Sequence, residues 1–93
     1  MLFLMLRNLK GVIFYTDKLE VGKYGLSDRK MVFRVDLVVL KKIEGGSVRL
    51  PKNAFNVFIG EKKVGFFRLE NEQEFDSFLQ KTKEAGYKWK RYL

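Results

Sequence analysis

The stretch KVGFFRLENEQEFDSFLQKTKEAG, residues 63–86, decides how the rest of the chain is read. Its first seven residues combine Val64, Phe66, Phe67 and Leu69 with Lys63 and Arg68, which is strand composition. The period then changes. Asn71 is followed three residues later by Glu74, the spacing of a capping box. Glu70, Glu72, Glu74 and Asp76 gather where the positive end of a helix dipole would lie, so the dipole accounts for them without any catalytic role. Phe75, Phe78, Leu79 and Thr82 fall at helical spacing, Ala85 extends the stripe, and Gly86 supplies a stop. The spacing predicts an amphipathic helix over 71–85, entered directly from a strand.

Upstream, the chain reads as a series of strands. Residues 54–60 (AFNVFIG) and 63–69 flank Glu61 and Lys62, a short hairpin connection. Before the break at residues 51–53, the pair Gly45 and Gly46 stands between KKIE and SVRL and predicts another hairpin, because glycine supplies the positive φ that a tight turn needs. Residues 31–40 (MVFRVDLVVL) alternate, with Met31, Phe33, Val35, Leu37 and Val39 on one face and Arg34 and Asp36 on the other. At residues 38–40 both faces turn apolar, so the strand is expected to bend there or to become covered on both sides. Residues 2–7 and 11–16 predict a first hairpin turning at 8–11, 19–24 a third strand, and 25–30 a loop.

At 93 residues the chain is expected to be a single domain: β-rich over 1–69, a helix over 71–85, and a basic-aromatic tail over 86–93. It is 46% hydrophobic with nine Phe, enough to fill one core. There is no Cys or His, so disulfide scaffolds, thiolate zinc sites and the ordinary transition-metal ligands are excluded. No acidic cluster is spaced for magnesium or calcium, and no cofactor is expected. The apolar N-terminal run is far shorter than the roughly 20 residues of a membrane-spanning helix, so it reads as a strand and the expected location is cytoplasmic. Catalysis is poorly supplied. Without His or Cys, a nucleophile would have to come from Ser27, Ser47 or Ser77, each of which reads as a turn or surface residue. Glycine-rich phosphate loops are absent. The expectation is a binding protein and not an enzyme.

Strands followed by one terminal helix make an α+β pattern: a curled antiparallel sheet or barrel of about seven strands capped by the helix. In this plan, GEKKVGFFRLENEQEFDSFLQKTKEAG at 60–86 and GVIFYTDKLEV at 11–21 resemble a pleckstrin-homology-like domain of the bacterial and archaeal kind. The resemblance covers most of residues 10–86 as a pattern of elements. It implies a binding module whose loops or faces take phosphoinositides, peptides or partner subunits. Lipid-binding members place several cations on the first hairpin, whereas here that region offers Arg7 and Lys10 and the strand GVIFYT has none. Contact with a protein partner is therefore favoured over a headgroup pocket.

Charge is the remaining signal. The 19 Lys and Arg exceed the 11 Asp and Glu by +8, and the excess lies in residues 1–69, which hold 14 basic and 6 acidic side chains. Such a domain attracts polyanions at long range, whether nucleic acid, anionic lipid or acidic protein. The candidate binding residues are Arg7 and Lys10, Arg29 and Lys30, Lys41, Lys42 and Arg49, and in the tail Lys88, Trp89, Lys90 and Arg91. As an extended segment the tail GYKWKRYL presents rings on one side and cations on the other. It can stack on bases as single-strand binders do, anchor at a membrane interface, or fold back so that Tyr87 and Trp89 close the core. The apolar area of an indole favours the last. Two functions stay open: an interaction module for a protein or anionic surface, and a small nucleic-acid-binding domain. A homo-oligomer formed through a strand edge is a third form of partnership.

Overall fold

The computed structural model describes residues 5–22, 31–43 and 52–91. The chain runs β1 (Met5–Leu9), β2 (Val12–Tyr15), β3 (Lys18–Val21), β4 (Met31–Arg34), a 3-10 turn (Val35–Leu37), β5 (Val38–Lys42), β6 (Ala54–Ile59), β7 (Lys62–Arg68), α1 (Glu72–Ala85) and β8 (Lys88–Arg91). The expected hairpin at Gly45 and Gly46, and Arg29, Lys30 and Arg49, lie outside the described residues.

Two four-stranded sheets result, ordered β1-β2-β3-β4 and β7-β6-β5-β8. Together with α1 they give the expected α+β class, but the sheets are not closed into a barrel. The first is an antiparallel meander. Its opening turn is tighter than residues 8–11: Leu9 pairs with Val12, leaving only Lys10 and Gly11 between the strands. Both have positive φ, 48° and 90°, as a two-residue hairpin turn of this kind demands.

The predicted long strand over 31–40 is two strands. The 3-10 turn at Val35–Leu37 breaks it earlier than expected and carries the chain from the first sheet to the second. The turn also resets the alternation. Val35, Val38 and Leu40 are buried, while Met31 and Leu37, expected on the same face as Val35, are exposed.

Between the sheets lies one core, with Val12, Phe14, Leu19 and Val21 on one side and Val38, Leu40, Phe55, Val57 and Phe67 on the other. The helix adds Phe75 and Phe78, with Leu79 partly buried against them. Phe14 meets Phe78 edge-on and Phe55 stacks on Phe78, both with centroids 5.0 Å apart. Pairs of this kind add about 0.5–1.5 kcal/mol each to the area they bury. At the helix start, the Asn71 side chain accepts from the Glu74 amide at 2.8 Å, worth about 1 kcal/mol as a cap. Glu74 itself departs from the capping-box pattern: its carboxylate accepts from Arg7 of β1 at 3.1 Å. At the other end Gly86 takes φ 106° and its amide reaches the Thr82 and Lys83 carbonyls.

The tail is the eighth strand. β8 pairs in parallel with β5, Trp89 beside Leu40 and Lys90 beside Lys41. This occupies the β5 edge opposite β6, so the second sheet ends in a strand from the far end of the chain. No helix among the described residues is long and apolar enough to cross a membrane.

Candidate polyanion-binding face

Strand alternation divides each residue of the second sheet between the core and the outer face. Val38, Leu40, Phe55, Val57, Phe67 and Trp89 turn to the core. Their neighbours turn outward, and the register sets them side by side: Val39 and Lys41 on β5, Ala54, Asn56 and Phe58 on β6, Phe66 and Arg68 on β7, Lys88 and Lys90 on β8. Lys63 joins them because of a bulge. Val57 pairs with Gly65 but Phe58 pairs with Lys63, so Val64 is an extra residue on β7. That irregularity places Lys63 on the face of Phe66, three positions away, where strict alternation would place it opposite.

The outer face thus carries Lys41, Lys63, Arg68, Lys88 and Lys90, and the four strands contain no Asp or Glu. All of these cations are exposed except Lys41, which is half-buried. Among the described residues no carboxylate forms an ion pair with any of them. The first sheet is different. There Arg7 meets Glu74, Lys18 meets Glu20 and Arg34 meets Asp36, at 3.1, 3.6 and 3.1 Å. In addition, the β5–β8 register sets Lys41 beside Lys90 and Lys42 beside Arg91. Neighbouring strands lie about 5 Å apart, and like charges directly opposite destabilise a sheet.

Two rings interleave with the cations. The Lys41 ammonium lies 4.6 Å from the Phe58 ring centroid, and the Lys63 ammonium 5.6 Å from that of Phe66. Phe66 is 46% exposed. Across the ladder from it stands Asn56, only 5% exposed, whose side-chain oxygen is buried with no hydrogen-bond partner among the described residues. Leaving such an acceptor unmet costs about 1–3 kcal/mol.

Beyond the β7 end of this face lies a cleft of about 210 Å³, lined by Lys10, Gly11, Val12, Val21, Gly22 and the β7 residues Val64, Gly65, Phe66 and Phe67. The Gly22 amide donates to the Gly11 carbonyl at 2.7 Å, fixing one wall. A second cleft of about 210 Å³ separates β1 from the helix and contains Arg7, Glu74, Ser77 and Lys81.

The candidate residues read from the sequence are dispersed by this arrangement. Lys41, Lys88 and Lys90 come together on the outer face. Lys10 stands at the glycine-walled cleft, and Arg7 is bound to Glu74 on the helix side. Lys42 points to the core side, its ammonium 5.1 Å from the Phe75 centroid. Trp89 packs against Phe55 and Phe75, each at 5.7 Å, and Arg91 takes its place in β8 beside Lys42. Tyr87 is 3% exposed. The aromatic tail therefore closes the core, and the exposed ring beside the cations is Phe66. Reading the sequence missed Lys63, Arg68, Phe58 and Phe66, because only the pairing register brings them beside Lys41.

No group of three or more acidic side chains capable of holding a metal ion occurs among the described residues. Compared with protein-family models, with curated proteins and with solved structures, the chain gives no match. The functional reading rests on the face itself.

Proposed function

We propose that the chain is a non-enzymatic binding module, pleckstrin-homology-like in its plan of meandering sheets and a C-terminal helix, that recognises a polyanion on the outer face of its second sheet. The observation that carries this reading is the unbalanced charge of that face. Lys41, Lys63, Arg68, Lys88 and Lys90 share one side of a sheet that contains no acid, whereas the strand cations of the first sheet are paired. A face assembled from like charges carries a repulsion that a polyanion relieves, and its field draws such a ligand in at long range.

Replacing Lys41, Lys88 and Lys90 with Gln tests the reading against a control in which Lys52, Lys81 and Lys83 are replaced. Both variants lose the same charge. Binding to heparin, measured from low to moderate salt, is expected to weaken more than tenfold in the first variant. The slope of log affinity on log salt should fall by roughly 2–3. Equal losses in the two variants would mean that net charge alone matters and that no defined face exists.

A further inference from the structure

We propose, resting on the polyanion reading above, that the ligand is a single-stranded nucleic acid, one of whose bases enters the cleft beside β7 and stacks on Phe66. Three features of the cleft argue for a planar heterocycle. Its lining includes the backbone at Gly11, Gly22 and Gly65 and the edges of Val12, Val21, Val64 and Phe67, and nothing stands within 4 Å of where a side chain would begin at Gly11, so a flat ring can approach the chain there. Phe66 lies on its border and is 46% exposed, an aromatic ring of the kind on which bases stack. Cations stand on both sides: Lys10 at the hairpin turn, and on the sheet Lys63, 5.6 Å from the ring centroid, with Arg68 two residues further along the strand.

That order is the repeat of a nucleic-acid strand: phosphate, base, phosphate. A duplex keeps its bases stacked inside and offers Phe66 nothing, so the ring has a partner only when the strand is unpaired. A sugar-phosphate headgroup is hydrated and has no planar ring system to stack on Phe66. The cleft holds about 210 Å³, room for one ring system.

The test uses the full chain and a fluorescein-labelled oligodeoxythymidine, the same oligonucleotide annealed to its complement, oligouridine, heparin, and phosphatidylcholine–phosphatidylserine vesicles. The single strand is expected to bind more tightly than the duplex or the vesicles. Phe66→Ala should weaken single-strand binding by roughly tenfold, as loss of one stacked base implies, and leave duplex and heparin binding unchanged. Phe66→Tyr should restore it. Lys10→Asn, which keeps a residue tolerant of positive φ, should weaken it by a smaller factor. Oligouridine should behave as the deoxy strand does. If Phe66→Ala weakens single strand and duplex alike, or neither, or if vesicles bind best through Phe66, the inference is overturned while the polyanion reading stands. Failure of the wild type to bind any of these anions overturns both.

Discussion

The indole N–H of Trp89 donates to Thr82 Oγ1 at 2.9 Å, and that hydroxyl donates in turn to the Phe78 carbonyl at 2.7 Å. One hydroxyl thus ties the last strand to the helix across seven residues and satisfies a polar group that β8 carries into the core. Thr82→Val keeps the shape and removes the acceptor. Stability to urea should fall by about 1–3 kcal/mol, the cost of a donor left without its partner. An unchanged midpoint would mean that the indole finds solvent.

Because Tyr87 and Trp89 belong to the core, deleting residues 87–93 should abolish the cooperative thermal transition and not merely reduce binding. Loss of a core Trp alone costs about 3–5 kcal/mol, a large part of the stability of a small domain. By contrast, Lys88→Gln with Lys90→Gln should leave the midpoint unchanged or raised, since it relieves the pairing of Lys90 with Lys41. Circular dichroism melts of the two variants separate the roles of the rings and the cations.

The Tyr87 hydroxyl lies 2.8 Å from the Tyr15 carbonyl and 2.9 Å from that of Lys18. Burial pushes its pKa well above the ordinary 10.0, with the Tyr15 hydrogen bond opposing and Asp17 adding to the rise. Below pH 10 both folded and unfolded chains keep the proton, and the stabilisation is intact. Above it, the unfolded chain releases a proton that the native state retains. Stability should therefore fall with pH by roughly 1.4 kcal/mol per unit until the folded group titrates. Tyr87→Phe should start less stable at neutral pH and lack this component of the alkaline decline. Parallel pH profiles of the two proteins would contradict the assignment.

Asn56 is the one polar side chain whose buried oxygen stands without a partner among the described residues. It sits on β6 between Lys41 and Phe66, and its burial makes the unmet oxygen costly to the fold. Asn56→Val should raise the unfolding midpoint, as removal of an unmet acceptor in a strand implies. A clear loss of stability would show that the amide is satisfied.

Much of this fold was legible from local pattern. The helix was, because Asn71, Glu74, Phe75 and Phe78 signal its start within eight residues and Gly86 marks its stop. The β1–β2 and β6–β7 hairpins were, because residues 8–11 and the pair Glu61 and Lys62 interrupt apolar runs, although the second turn falls one residue earlier, at Gly60 and Glu61. The break at Val35–Leu37 was not, since VDL contains neither Gly nor Pro and continues the alternation of its neighbours. Nor was β8, whose parallel partner β5 is remote in sequence and leaves no local trace. The binding face was half legible. Lys41, Lys88 and Lys90 stood out as charge, but Phe66 and Arg68 read as an ordinary strand until the pairing register set them beside Lys41, and Lys63 joined them only through the bulge at Val64.

The most direct measurement is amide chemical-shift mapping of the isotope-labelled full chain titrated with oligodeoxythymidine at low salt. The account predicts perturbations at Lys41, Asn56, Phe58, Lys63, Phe66, Arg68, Lys88 and Lys90, with Lys10 and Gly11 as a second cluster. Perturbations concentrated on β1 and β4, or on the exposed side of the helix at Gln73, Gln80 and Glu84, would contradict it.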